Sequence, residues 1–205
     1  MKISSKLLPA LLLAAVALQL DASETALTSR ADLGMWLQDA VLCKRGTAPG
    51  DLSPVGAFDG SANFDSPDES IVEVLTRLGV KVDDRSDKQD PDNRKINYTF
   101  PPGIKIFGHA ARAATYHANG TGDVFYVELV AQPGDLLKLK TDLQLIAIRN
   151  FMSGSAYVGL EHTQYYKPVY PPTTEKPYPD AIVASQEPRD GQSFVSVGCQ
   201  TFETD

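Results

Sequence analysis

Two cysteines, Cys43 and Cys199, are the entire thiol complement of this 205-residue chain, and they stand toward its opposite ends. If they pair, they close a loop of about 157 residues, which in the chain-entropy account contributes roughly 5 kcal/mol as an upper figure. The segment around Cys43 must then lie against the segment around Cys199. Any fold that keeps the two ends of the chain apart is excluded.

Pairing depends on the compartment, and the first residues bear on that. Residues 1 to 22 open with Lys2 and Lys6, run through an apolar stretch from Leu7 to Leu20 broken by Pro9 and Gln19, and close on Asp21-Ala22-Ser23. A charged head, an apolar middle and a small residue at the end make a secretory leader. Cleavage is expected near Ser23 or Leu27, leaving residues 23 to 205 as a single globular domain. The apolar run is about 14 residues, short of the roughly 20 that span a bilayer, so no retained membrane span is expected. Export to the periplasm or the cell exterior places both thiols where disulfides persist, and a Cys43–Cys199 disulfide follows. The competing reading is a catalytic Cys assisted by a His.

Losing Lys2, Lys6 and Asp21 takes the formal charge from −7 to −8. An acidic domain lacks the Lys and Arg surplus that phosphate backbones require, and anionic membrane surfaces repel it. Nucleic acid is therefore not an expected partner.

The first part of the chain carries helical periodicity. Ser29 and Asp32 have the spacing of a capping box, and Leu33, Trp36, Leu37, Ala40, Val41 and Lys44 follow at i, i+3, i+4 spacing, with Cys43 on the Trp36 face and Gly46 as the expected C-terminal cap. Trp36 is expected in the core. A long Gly, Pro, Ser and Asp segment, 46 to 65, reads as a surface loop. A second helix begins at Ser66 with Pro67, Asp68 and Glu69 in its first turn, carries Ile71, Val74, Leu75 and Leu78 as its stripe, and ends at Gly79.

From Val80 onward the period becomes two. Val80 to Val82 form a strand, the polar segment Asp83 to Asn93 a loop, and Ile96, Tyr98 and Phe100 the apolar side of a further strand. Pro101-Pro102-Gly103 breaks the pattern before Ile104 and Ile106. Residues 112 to 117 and 123 to 130 flank Asn119-Gly120, which suits a tight hairpin, and Phe125, Val127 and Leu129 share one face. Pro133 and Asp135 open a third helix whose Leu136, Leu139, Leu143 and Ile146 can cover that face. Ala156, Val158, Leu160 and His162 alternate, the Tyr- and Pro-rich residues 164 to 180 read as a loop, and Pro188-Arg189-Asp190-Gly191 joins a last hairpin that places Val195, Val197 and Cys199 on one side. The fold class expected is α+β, a predominantly antiparallel sheet with about three helices packed on it and one disulfide.

The chain carries little recognisable local chemistry. Nucleophile-elbow, phosphate-loop, dinucleotide and zinc-protease motifs are missing, and no cofactor is expected. His109, His117 and His162 lack the spacing that aims two ligands at one metal, although Glu128 and Glu161 stand on neighbouring segments. The carboxylates of Asp83 to Asp92 lack the central Gly and terminal Glu of a calcium loop. Tyr165 to Tyr178 is the one stretch whose composition suits a partner. Asn97 and Asn119 begin N-x-T sequons, substrates for glycosylation in a eukaryotic host; the short Lys-headed leader is the bacterial type, where that modification lapses. The function expected is a non-enzymatic binding module, such as an inhibitor or immunity-type protein of the cell envelope, meeting another protein or an envelope component. The alternative is a small secreted hydrolase whose active-site residues are not adjacent in sequence.

Overall fold

Ser29 starts the first helix as its side chain directs: Ser29 Oγ accepts from the Asp32 backbone N–H at 3.1 Å and donates to Asp32 Oδ2 at 2.7 Å. The computed structural model describes residues 27–44, 71–87, 89–90, 93–119, 122–147, 164–169, 180–189 and 192–202. The leader, the 46 to 65 segment, Ser66 to Glu69 and the Ala156 to His162 alternation lie outside these.

Helix α1 (Arg30–Val41) buries Leu33, Gly34, Leu37, Ala40 and Val41. Trp36 flanks this stripe half-buried rather than inside it, because the stripe centres on the Leu33–Leu37 side. The helix also stops earlier than the Gly46 position predicts. Cys43 N–H donates to Ala40 O and Lys44 N–H to Asp39 O, both at 3.1 Å, and Cys43 itself takes the left-handed conformation at φ 55°. That is a Schellman closure with a cysteine in the place that glycine favours.

Helix α2 (Ile71–Arg77) ends by the same device at the expected residue, with Gly79 at φ 87° and Val80 N–H on Leu75 O. Helix α3 (Asp135–Asp142) repeats it with Gln144 at φ 57° and Leu145 N–H on Lys140 O. Leu136 and Leu139 of α3 are buried as the periodicity implies, whereas Ile146 leaves the helix and is 53% exposed in a short strand.

The strands are β1 (Lys81–Asp84), β2 (Arg94–Thr99), β3 (Lys105–Ile106), β4 (His109–Asn119), β5 (Gly122–Val130), β6 (Ile146–Ala147), β7 (Tyr165–Pro168), β8 (Ala181–Arg189) and β9 (Gln192–Phe202). They form one antiparallel sheet in the order β1-β2-β4-β5-β9-β8-β7-β6, with β3 paired to β4 off that path. The α+β class is thus confirmed, with three helices among the described residues. Residues 164 to 180 are not one loop: Tyr165–Pro168 pairs with β8. The β4–β5 register pairs Asn119 with Gly122, so Asn119 belongs to the strand, and Gly120 lies outside the described residues.

One face of the sheet and all three helices share a core that includes Ile96, Tyr98, Tyr116, Phe125, Val127, Val195 and Val197. Within it Cys43 and Cys199 form a disulfide with their Cα atoms 5.0 Å apart, inside the usual range. The first helix is thereby tied to the central strand β9.

Candidate functional site

Alternation fails once in β4, and that failure positions the polar groups of interest. Ala111 pairs with Leu129 and Ala113 with Glu128, so Arg112 is an extra residue with no register partner in β5. A β-bulge of this kind re-aims a side chain. The guanidinium of Arg112 lies 4.8 Å from the centroid of the Phe194 ring and 3.4 Å from Glu128 Oε1. Phe194 and Glu128 are buried while Arg112 is exposed. An exposed cation is thus held between a buried aromatic ring and a buried carboxylate, on the sheet face opposite the helices. Val130, paired with Phe194 in register, is 44% exposed beside it.

The same end of the sheet carries a second pair. His109, the first residue of β4, places Nδ1 3.4 Å from Asp135 Oδ2, and that oxygen also accepts the Gln132 backbone N–H at 2.6 Å. Asp135 opens α3, where a carboxylate suits the positive end of the helix dipole.

In sequence His109, His117 and His162 lack ligand spacing, and Glu128 and Glu161 are the carboxylates on neighbouring segments. His109 meets Asp135, and Glu128 meets Arg112. His117 sits at the far end of β4, between Lys95 and Val124 in register, and four positions of β5 separate Val124 from Glu128. At the rise of an extended strand that is about 13 Å. Burial first, and then the Lys95 charge, holds the His117 imidazole below its usual pKa. His162 and Glu161 lie outside the described residues. Among the described residues no three His, Cys, Asp or Glu side chains gather in a group able to hold a metal ion.

Asp83 and Asp84, expected in a loop, end strand β1, and the acidic segment uses its carboxylates locally: Asp83 accepts from Arg85 Nε at 2.6 Å, Asp84 from the Ser86 N–H at 2.9 Å and Asp87 from the Gln89 N–H at 2.8 Å. Two of the tyrosines singled out for a partner serve packing. Tyr165 lies under Lys140 of α3, its ring centroid 5.1 Å from Nζ, and Tyr166 flanks the buried Val124, Ala181 and Val183 on the opposite face. Tyr170 and Tyr178 lie outside the described residues.

Arg112 and Phe194 were not found from sequence, though a trace was present. Ala111 and Ala114 both face the core, and a spacing of three cannot occur in an unbulged strand. Alanine gives too weak a pattern to show it. No family model matches the chain, and neither curated proteins nor solved structures give a match.

Proposed function

We propose that this chain is an exported binding module that meets a protein or envelope component through the bulged end of β4, β5 and β9. The observation carrying the reading is Arg112, exposed yet pre-positioned over Phe194 beside Glu128. Interfaces draw most of their affinity from a few anchors of this type, arginine and aromatic residues with restricted motion. The neighbouring Val130 adds apolar area at the same spot. The disulfide supports the exported compartment, and no helix among the described residues is long and apolar enough to cross a membrane.

The test compares immobilised wild-type protein with Arg112→Ala and Arg112→Lys, exposed to the secreted and envelope proteins of the native source. Arg112→Lys keeps a charge near Glu128 but loses the planar stack. A protein retained by the wild type and by Met35→Arg, on the distant α1 surface, should be lost with both Arg112 variants. Equal retention by all four proteins overturns the reading. The His109–Asp135 pair favours a hydrolase as the second reading, since a carboxylate oriented on a histidine is the usual arrangement of a general base. Ester or peptide hydrolysis abolished by His109→Asn would replace binding with that reading.

A further inference from the structure

Asn97, Tyr98 and Thr99 form an N-x-T sequon inside β2, and the strand settles where each side chain goes. Tyr98 is buried in the core, so Asn97 and Thr99 stand on the opposite face. In register Asn97 has Asp83 of β1 on one side and Thr115 of β4 on the other. Thr115 Oγ1 donates to Asn97 Oδ1 at 3.1 Å. The carbonyl end of the amide is therefore engaged, and among the described residues nothing accepts a hydrogen bond from Nδ2. Asn97 is half-buried and Thr99 exposed.

We propose that Asn97 is an N-glycosylation site in a eukaryotic secretory pathway, the folded strand leaving its Nδ2 toward solvent while Thr115 holds Oδ1. In the transfer, Nδ2 attacks the anomeric carbon of a lipid-linked oligosaccharide, the C1–O bond to the diphosphate breaks, the lipid diphosphate leaves and one amide proton is lost. The product keeps Oδ1 as an acceptor, so the contact with Thr115 survives the modification. The sugar projects from a polar surface that also presents Lys81, Asp83, Lys95 and Thr115, with the core on the other side of the sheet. It stands beside β1, the edge strand, where a hydrated polymer blocks pairing with a second chain. Phe194 lies on β9, three strands from β2 and so about 14 Å across the sheet, which leaves the bulged end accessible. The inference is independent of the binding reading.

The experiment expresses the full chain with its own leader in eukaryotic secretory cells. The purified protein is treated with an amidase that removes N-glycans in isotopically heavy water, leaving labelled Asp at each modified Asn, and the peptides are read by mass spectrometry. Label at residue 97 is expected in the wild type, in Thr99→Ser and in Asn119→Gln. It should vanish in Thr99→Ala, which keeps Asn97 and the fold but breaks the sequon. Unlabelled residue 97 in the wild type overturns the proposal, whether the protein is secreted or retained. Label persisting in Thr99→Ala overturns it equally, since the sequon would then not be what is recognised.

Discussion

Three residues hold the same left-handed turn after three different helices, and only one of them is suited to it. Gly79 has no Cβ to clash, whereas Cys43 and Gln144 take φ values of 55° and 57° at a conformational cost. Cys43 is committed to the disulfide. Gln144 has no such tie and is exposed. Gln144→Gly should therefore raise stability by about 1 kcal/mol, read as a higher midpoint in urea with an unchanged slope; a lowered midpoint would mean that the Gln144 side chain stabilises more than its backbone costs. His117 makes a pH prediction at the same scale. Its pKa is lowered by burial and then by Lys95, so the folded state prefers the neutral ring. Above the unfolded pKa of about 6.5 both states are neutral and the group contributes nothing. As pH falls through that value the unfolded chain takes the proton first, and stability drops until the folded-state pKa is passed. His117→Gln should flatten the slope of unfolding free energy between pH 6.5 and the acid limb. Lys95→Gln should flatten it only in part, because burial is the larger cause.

Among the elements, α1 shows most clearly how a close contact sets a residue. A Cβ built on Gly34 would stand 2.7 Å from the Lys105 carbonyl oxygen of β3, a backbone atom that cannot move aside. The contact is reinforced where Phe107 N–H donates to Gln38 Oε1 at 3.1 Å, and where Arg30 reaches the carbonyls of Leu78 and Pro102 at 3.3 and 3.2 Å. Gly34→Ala gains helix propensity yet should lose about 1–3 kcal/mol through overpacking, and thermal unfolding decides between the two. What could be read from sequence follows the same division between local and non-local causes. The Ser29 cap, the Gly79 stop and the alternation of Ile96, Tyr98 and Phe100 are local signals, and each is present in the structure. β7 was hidden because Tyr165 and Tyr166 are both half-buried, one on each face, so no alternation marks the strand. The bulge at Arg112 was hidden by alanines, and its partner Phe194 arrives from a strand more than 80 residues on. The end of α1 differs from the sequence reading because Gly46 matches the rule for a cap, whereas the backbone turns at Cys43, a residue that glycine-based rules do not pick out.

At the scale of the molecule, the disulfide joins elements that are remote in sequence, and its effect should be that of a single constraint. Cys43 and Cys199 are both buried and stand 156 positions apart. In the chain-entropy account a closure of that length contributes up to about 5 kcal/mol, acting chiefly on the unfolded chain. Cys43→Ala, Cys199→Ala and the double substitution open the same loop, so the three should lose stability by the same amount within about 0.5 kcal/mol. The backbone at Cys43 adds a finer expectation. The left-handed turn is closed by backbone hydrogen bonds, as at Gln144, and persists without the bond, so Cys43→Gly combined with Cys199→Ala should stand about 1 kcal/mol above the double alanine variant. Guanidinium unfolding of the four variants, with the wild type in oxidised and reduced forms, gives every number needed. Reduced wild type should match the single substitutions. If one cysteine of the native, unreduced protein reacts with a thiol reagent while the other stays inert, the constraint is not in place and a functional thiol takes its place in the account.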